Sequence, residues 1–384
     1  MTLDYNNMTN IQMVDLKGQY AKISDQIDDA VLSTIRSTNF INGPSVKSFQ
    51  ANLEAYLSVE HVIPCANGTD ALQIALMALD LKAGDEVIVP AFTYVATAEV
   101  ISLLGLVPVM AEVDPDSFNI SIDSIESLIN DKTKAIVPVH LYGQSADMEP
   151  IMNIAKKNNL FVVEDNAQGI GATYTFSDGK QMKTGTMGHI GTTSFFPSKN
   201  LGCYGDGGAL MTRDSWLASK IEMIANHGQI KKYHHEVTGV NSRLDTIQAA
   251  VLDVKLRYLD EYIASRNAMA SFYDDALSGI QELEPPMRAT FSDHVFHQYT
   301  LKVKNGHRDK LKVYLEELGI PSMIYYPIPL YKQNAFKKYV ASDFSLSITE
   351  ELCQSVLSLP IHTEGDYDEM TFISDSIIRF FKSI

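Results

Sequence analysis

An acidic and a basic side chain stand in segments whose composition suits a buried site. Asp165 ends an apolar run over residues 161–165, and Lys199 lies between a run of small residues and the glycine-rich segment 205–208. A lysine amine forms a Schiff base with an aldehyde cofactor, and a carboxylate keeps the nitrogen of a pyridine ring protonated. The two residues therefore predict pyridoxal phosphate as cofactor. Lys199 would bind it covalently and then act as general base, while Asp165 would pair with the ring nitrogen.

Other residues at predicted turns are candidates for holding the same cofactor. Gly68 and Thr69 stand where a strand leads into a helix, so backbone N–H groups and the threonine hydroxyl would face a phosphate. Ser194 is a second candidate for phosphate binding, and Gln168 would bond the phenolic oxygen or pack beside it. Tyr94 follows another strand end and would stack on the pyridine ring. Together these residues predict a ligand pocket at the ends of several strands.

Each of these residues also has an ordinary structural interpretation. Asn67 or Thr69 would cap the helix that follows, and Asp165 would cap the turn after its strand. Lys199 would be a solvated loop residue, and Tyr94 would be a core aromatic residue. These alternatives stay open for each residue taken alone, whereas the combination favours a cofactor site.

One basic stretch interrupts an otherwise acidic chain. It contains Lys231, Lys232, His234 and His235 and extends to Arg243. Such a cluster is suited to a diphosphate group, and its alternative is a solvated loop. Its spacing is not that of a metal site, so no metal is predicted.

Composition limits the class of protein. The chain has 384 residues, 45% of them hydrophobic, with a net charge of −16 and a pI near 5.0. This charge argues against general binding to nucleic acid or to anionic membranes. Three widely spaced cysteines indicate neither a disulfide framework nor a zinc site. Residues 1–10 lack a signal-peptide core and no apolar run is long enough to cross a bilayer, so a cytoplasmic protein is expected.

Strand and helix patterns alternate over the first half of the chain. Short β-rich runs are separated by helical segments; the runs are 86–90, 107–113, 135–139 and 161–165, and the segments are 96–104, 121–130 and 148–158. This order predicts an α/β protein with a mostly parallel sheet covered by helices on both faces.

A long helix is predicted from about residue 241 to residue 270. Beyond it, a strand at 298–303 and helices at 308–318 and 368–381 indicate a smaller C-terminal α/β domain. We place the division inside the long helix. Residues 1–255 would form a large cofactor-binding domain with an N-terminal arm, and residues 256–384 would form the small domain.

Taken together, these motifs resemble those of the DegT-type sugar-nucleotide aminotransferases, which are fold type I pyridoxal phosphate enzymes. The resemblance runs from about residue 14 to the C-terminus. It rests on the segments Glu164-Asp165-x-Ala167-Gln168, Ser194-Phe195-x-x-x-Lys199-x-Leu201-Gly202 and Gly205-Asp206-Gly207-Gly208. It implies the two-domain fold above, with Asp165 at the pyridinium and Lys199 as the Schiff-base lysine. Relatives that dehydrate their substrate carry a histidine at the lysine position, so the resemblance implies transamination.

The resemblance also implies a homodimer whose subunits share each active site. It places Gly68, Thr69 and Ser194 at the cofactor phosphate. It places Asn241 at the same phosphate, reaching it from the neighbouring subunit. A single chain would then hold only part of each site.

The substrate-binding segments most resemble those of UDP-2-acetamido-2-deoxy-3-oxo-D-glucuronate aminotransferases. These segments are Asn241-Ser242-Arg243, typical of enzymes that aminate C3, Tyr233-His234-His235 and Tyr326-Pro327-Ile328-Pro329. In such enzymes glutamate supplies the amino group, and the product feeds bacterial surface-polysaccharide synthesis. The resemblance implies that the nucleotide sugar is bound by Arg243, Tyr325, Tyr326 and His234, with Arg243 as a partner for the uronate carboxylate. The alternatives are a dTDP-linked 3-keto-6-deoxyhexose as substrate and a non-catalytic relative that acts as a regulator or binding protein.

Overall fold

The computed structural model of the protein describes residues 11–384. The prediction that residues 1–10 lack a signal-peptide core lies outside this range. None of the helices within residues 11–384 combines the length and the apolar character that a membrane crossing requires.

Strands and helices follow one another along the described chain. The strands are β1 (His61–Cys65), β2 (Glu86–Pro90), β3 (Val107–Ala111), β4 (Thr133–Ile136), β5 (Phe161–Asp165), β6 (Thr173–Thr175), β7 (Gln181–Lys183), β8 (Ile190–Ser194), β9 (Gly208–Thr212), β10 (Gln229–Lys231), β11 (His234–His235), β12 (Leu283–Glu284), β13 (Tyr299–Val303) and β14 (Val356–Leu359). The α-helices are α1 (Leu16–Ser37), α2 (Pro44–Leu57), α3 (Gly68–Ala78), α4 (Ala96–Leu103), α5 (Ile122–Leu128), α6 (Met148–Asn158), α7 (Ser215–Ala225), α8 (Thr246–Leu256), α9 (Leu259–Leu277), α10 (Arg308–Glu317), α11 (Ser347–Ser355) and α12 (Tyr367–Lys382). Short 3-10 turns occupy Leu141–Gly143, Leu330–Lys332 and Lys337–Tyr339.

The main sheet has the strand order β1-β9-β8-β5-β4-β2-β3. Its pairs β2/β3, β2/β4, β4/β5 and β5/β8 are parallel, and β9 pairs antiparallel with both β8 and β1. The predicted α/β fold with a mostly parallel sheet is therefore confirmed. The antiparallel edge formed by β9 and β1 is an addition that the sequence pattern did not indicate.

Both faces of this sheet are covered, because neighbouring residues of one strand point to different layers. Val87 and Val89 join the hydrophobic cluster that contains α3, α4 and α7, whereas Ile88 between them joins the cluster that contains α6. In β5, Val163 faces the first cluster and Val162 the second. Two-sided burial explains why these strands are continuous apolar runs instead of alternating patterns.

Helix α6 shows how a local pattern fixes an element. Its buried residues Met148, Ile151, Ile154 and Ala155 recur at helical spacing and form one apolar face. The helix ends at Asn158 and is capped by Asn159, whose φ of 53° is the left-handed conformation that asparagine tolerates well. The structure places this helix at the predicted residues 148–158.

The predicted long helix is wrong, because the segment forms two helices. Helix α8 ends at Leu256 and α9 begins at Leu259. At the break, the N–H of Arg257 donates to the carbonyl of Val254 and that of Tyr258 to Lys255, which tightens the last turn and ends α8. No glycine or proline marks this break in the sequence.

The C-terminal part has a core of its own. Strands β12, β13 and β14 form a three-stranded antiparallel sheet. Residues of α9, α10 and α12 pack against it in a separate hydrophobic cluster. The division of the chain at residues 255 and 256 stays a prediction.

Candidate active site

The carboxyl ends of β5 and β8 lie side by side and carry the central residues of the site. Asp165 is the last residue of β5 and is in register with Thr192 of β8, and Ser194 ends β8 two residues later. Lys199 follows in the loop between β8 and β9. Ligands of open α/β sheets bind outside such strand ends, so the predicted residues meet where the fold favours a site.

The Asp165 carboxylate is held inside the protein by two donors. The hydroxyl of Thr97 donates to Oδ2 at 2.8 Å, and the N–H of Ala167 donates to Oδ1 at 3.2 Å. The residue is only 5% exposed, and this burial raises its pKa, while the two donors and the nearby Lys199 amine act in the opposite direction. A buried carboxylate whose orientation is fixed by two donors is suited to pairing with a positively charged ring nitrogen.

Lys199 is half-buried, and its side chain lines the cavity. Burial lowers its pKa from 10.5 to about 8, against the opposing effect of the Asp165 carboxylate. The backbone fixes the loop, since the N–H of Lys199 donates to the carbonyl of Phe196 at 2.8 Å. A lysine with a lowered pKa has more of the neutral, nucleophilic amine at neutral pH.

The start of α3 approaches the end of β8 closely. A Cβ built on Gly68 would lie 2.7 Å from the Cβ of Ser194, so only glycine fits there. Asn67 caps the helix, its Oδ1 accepting from the N–H of Asp70 at 2.8 Å. The cap is thus formed by Asn67, which leaves the hydroxyls of Thr69 and Ser194 at the cavity wall beside the helix start. This arrangement suits a phosphate group.

The orientation of the Gln168 amide is set by its two partners. Oε1 accepts from the N–H of Tyr142 at 2.7 Å, and Nε2 donates to the hydroxyl of Tyr326 at 3.2 Å. The hydroxyl of Tyr142 in turn donates to the carbonyl of Tyr325. Two of the predicted substrate-binding tyrosines are therefore tied to a predicted cofactor-binding glutamine.

These residues line one cavity of about 650 Å³. The predicted residues among its walls are Gly68, Thr69, Tyr94, Asp165, Gln168, Ser194, Lys199, Tyr325 and Tyr326. Tyr94 is 58% exposed, so the core-aromatic alternative is wrong for it. The donor set fits pyridoxal phosphate, because an amine, a buried carboxylate and a glycine-containing helix start face one space of suitable size.

Three predicted residues do not line the cavity of their own chain. Asn241 is exposed, and its backbone pairs with Asn226. Arg243 is half-buried, and His234 is exposed on the hairpin formed by β10 and β11. Within residues 11–384, no group of three or more His, Cys, Asp or Glu side chains is arranged to hold a metal ion.

Sequence reasoning missed several residues that the fold brings to the site. The hydroxyl of Thr97 donates to Asp165 directly. Its position at the start of α4, the helix after β2, could have been read from the sequence as a place beside the strand ends. Tyr142 and His297 also line the cavity. His297 lies 98 residues from Lys199 in sequence, and no local pattern connects the two.

The match to known proteins agrees with this geometry. Residues 21–377 match the DegT/DnrJ/EryC1/StrS aminotransferase family. The chain belongs to this family. It is a family of pyridoxal phosphate-dependent sugar-nucleotide aminotransferases, so the predictions of family, enzyme class and cofactor are confirmed.

Similar sequences cover nearly the whole chain. A UDP-2-acetamido-2-deoxy-3-oxo-D-glucuronate aminotransferase of Pseudomonas aeruginosa is 44% identical over 92% of this chain and 95% of its own length. A pleiotropic regulatory protein of Geobacillus stearothermophilus is 43% identical over 97% and 99%. A dTDP-3-amino-3,4,6-trideoxy-alpha-D-glucose transaminase of Streptomyces venezuelae is 38% identical over 96% and 95%.

Solved structures show the same architecture. A DegT DnrJ EryC1 StrS aminotransferase from Brucella abortus has a TM-score of 0.92 and 40% identity, covering 97% of this chain and 100% of its own. NtdA from Bacillus subtilis, with bound cofactor PMP, has a TM-score of 0.86 and 32% identity, covering 94% and 82%.

Proposed function

We propose that the protein transfers the amino group of glutamate onto C3 of UDP-2-acetamido-2-deoxy-3-oxo-D-glucuronate. The observation that carries the chemistry is that a half-buried lysine and a buried carboxylate, Lys199 and Asp165, share one cavity with the start of α3. The relative from Pseudomonas aeruginosa, similar over nearly all of both chains, supports the uronate substrate. Synthesis of a bacterial surface polysaccharide and a cytoplasmic location belong to the same proposal.

The chain's residues divide the work of holding the cofactor. The N–H groups at the start of α3, with the hydroxyls of Thr69 and Ser194, would hold the phosphate. Asp165 would hold a proton at the ring nitrogen, and Gln168, fixed by its two partners, would orient the phenolic oxygen. The exposed face of Tyr94 would cover the ring. Bound in this way, pyridoxal phosphate supplies a ring that accepts electrons from the carbon atom that gains or loses the amino group.

Lys199 would move the proton in both halves of the reaction. Its Nζ, when neutral, would take a proton from a carbon of the substrate or of the cofactor. Once protonated, it would give a proton to the other of the two. A pKa near 8 suits this double use, because the amine then gains and loses a proton at little cost near neutral pH. Glutamate would donate in the first half, and the 3-keto sugar would accept in the second.

The sugar would lie at the mouth of the cavity, against Tyr325 and Tyr326, which line it. Arg243 and His234 stand outside the cavity of their own chain. We therefore assign them, with Asn241, to the cavity of a neighbouring subunit in a homodimer. Arg243 would bind the uronate carboxylate, and Asn241 would complete the phosphate site.

Mixed dimers test the shared site. Lys199→Ala and Asn241→Asp chains, each inactive alone, are expected to form heterodimers with roughly half the wild-type activity, because one of the two sites keeps both residues. The measurement is turnover of heterodimers purified by two different tags. Heterodimers of Lys199→Ala with Asp165→Asn are the matched control, since both residues belong to one chain and no intact site results. Inactive heterodimers in the first mixture would contradict the shared site.

Competition between keto sugars tests the substrate. With glutamate as donor, kcat/KM is expected to be at least about tenfold higher for the 3-oxo-glucuronate than for UDP-N-acetyl-3-dehydro-D-glucosamine, which lacks the carboxylate. Arg243→Gln should lower kcat/KM for the uronate and leave the second substrate nearly unchanged. A strong preference for a dTDP-linked 3-keto-6-deoxyhexose would overturn the uronate assignment and keep the aminotransferase.

A second candidate function is regulation without catalysis. It is favoured by the 43% identity to a protein named as a pleiotropic regulator. The complete set of amine, carboxylate and helix start around one cavity weighs against it, because a protein without catalysis has no need of a lysine with a lowered pKa beside a buried carboxylate.

A further inference from the structure

His297 stands next to the amine of Lys199 although the two come from different parts of the chain. Its Nε2 lies 3.4 Å from Nζ of Lys199. The residue precedes β13, is 4% exposed and lines the cavity. It thus stands two residues before the C-terminal strand β13, and its ring meets Lys199 of the loop that follows β8.

The backbone around His297 is clamped. The buried Arg266 of α9 donates from Nη1 to the carbonyls of Phe296 at 3.1 Å, His297 at 3.5 Å and Ile361 at 3.0 Å. On the other side, the N–H of Gln298 donates to the carbonyl of Tyr142 at 3.2 Å. A guanidinium bonded to these carbonyls leaves the segment little freedom, so the backbone that carries the imidazole is held in place beside the loop of Lys199.

The imidazole has one partner and one open nitrogen. Nδ1 is buried and has no hydrogen-bond partner among the described residues. An unpaired buried nitrogen costs stability, so this ring is not explained by a structural hydrogen-bond network. The hydrogen bond that the imidazole does make is the one between its Nε2 and Nζ of Lys199.

The protonation states of the two side chains determine which of them donates the hydrogen bond. Burial lowers the pKa of His297 well below its usual value, and the nearby Lys199 and Arg266 charges lower it further. The imidazole is therefore neutral when Lys199 carries its proton, and Nε2 accepts from the ammonium. The other titratable groups that line the cavity are Asp165, Asp206, Tyr94, Tyr142, Tyr325 and Tyr326.

We propose that His297 is a positioning residue that accepts a hydrogen bond from the protonated amine of Lys199 and holds Nζ in place between its two proton transfers. This proposal rests on the proposed role of Lys199 as the proton carrier. Without the acceptor, the ammonium form loses a partner and the amine swings away from the reacting carbon more often. The effect should fall on kcat more than on KM, because the imidazole bonds the lysine and not the sugar.

Two closely matched variants separate this role from simple packing. The amide of His297→Gln reaches the position of Nε2, whereas that of His297→Asn reaches only the position of Nδ1. His297→Phe fills the space without any acceptor. Folding of each variant is checked by its melting temperature, and cofactor binding by its visible absorbance.

The first measurement does not use activity. In the full chain freed of cofactor, the pH dependence of Lys199 acetylation, followed by peptide mass spectrometry with the exposed Lys47 as internal reference, gives the pKa of the amine. His297→Phe and His297→Asn are expected to lower that pKa by about one unit, and His297→Gln is expected to restore most of it.

The second measurement is the kinetics of the loaded enzyme. His297→Phe and His297→Asn should lower kcat about 10- to 100-fold with little change in KM, and His297→Gln should keep most of the wild-type kcat. Two results would overturn the proposal: an unchanged pKa of Lys199 in His297→Phe, or equal losses in the Gln and Asn variants. Because acetylation needs no keto sugar, a wrong substrate assignment leaves the first measurement intact.

Discussion

Replacement of Lys199 by alanine is expected to lower kcat at least about 10⁴-fold. Under the proposed roles of Lys199, the variant would lose both the amine that attaches the cofactor and the base that moves the proton, and no other lysine lines the cavity within residues 11–384. It should also lack the absorbance of covalently attached cofactor and should not be labelled by borohydride reduction in the presence of pyridoxal phosphate. Steady-state turnover and the visible spectrum check the two expectations separately.

The conservative variant Lys199→Arg makes this test sharper. It keeps a positive charge in the cavity, but a guanidinium stays protonated and does not act as nucleophile or base at neutral pH. We therefore expect it to be as inactive as Lys199→Ala. Lys47→Ala, at an exposed position, should behave like the wild type. Near-normal turnover of Lys199→Ala would refute the assignment, and a wild-type protein that takes up no pyridoxal phosphate would revive the regulatory alternative.

The residues of the central strands could be predicted because their signals are local. A continuous apolar run that ends in an acidic residue indicates a strand that is buried on both faces and has a polar residue at its carboxyl end. The structure gives β5 the predicted bounds, with Asp165 as its last residue. Gly68 follows from the same logic, since the sharp change from strand to helix needs a close backbone approach. Sequence patterns of five to ten residues carry this information.

Residues that act through long-range contacts could not be predicted. The pairing of His297 with Lys199 depends on how the C-terminal part packs on the main sheet, and this packing leaves no periodic signal. The break between α8 and α9 has the same origin, because ordinary helix-forming residues end one helix and begin the next. The direction of β9, which hydrogen-bonds antiparallel to β8, also follows from the connection and not from its own composition.

Glu164 belongs to the same motif as Asp165 but does not line the cavity. It precedes Asp165, and its side chain points away from the cavity into the protein. There it accepts from the N–H groups of Gly185, Met187 and Gly188 at 2.6–2.8 Å and pairs with the ring of His140 at 2.9 Å. Four donors around one buried carboxylate fix the end of β5. Of the two neighbouring acids, Glu164 therefore holds the end of the strand, whereas Asp165 faces the cavity.

Replacement of Asp165 by asparagine is expected to lower kcat about 10²- to 10³-fold while the protein stays folded. A carboxylate next to a ring nitrogen raises the pKa of that nitrogen by about 1–3 units, and the amide of asparagine has the same shape without the charge. Residue 165 would then no longer hold a proton at the ring nitrogen near neutral pH, and a bound cofactor would accept electrons poorly. Because burial raises the pKa of Asp165, the native protein is destabilised by this charge, so the variant should melt no lower than the wild type.

Thr97→Val is the graded comparison for this variant. It keeps the Asp165 carboxylate and removes only the hydroxyl that donates to Oδ2 at 2.8 Å, so the charge stays and its orientation loosens. We expect a loss of kcat of no more than about tenfold, because the charge at the ring nitrogen is kept and the hydrogen bond from Thr97 is present in the ground state and the transition state alike. If Asp165→Asn lost no more activity than Thr97→Val, the carboxylate would serve to position the ligand and not to hold the proton at its ring nitrogen. A loss at least about tenfold larger in Asp165→Asn would assign the difference between the two variants to the charge itself.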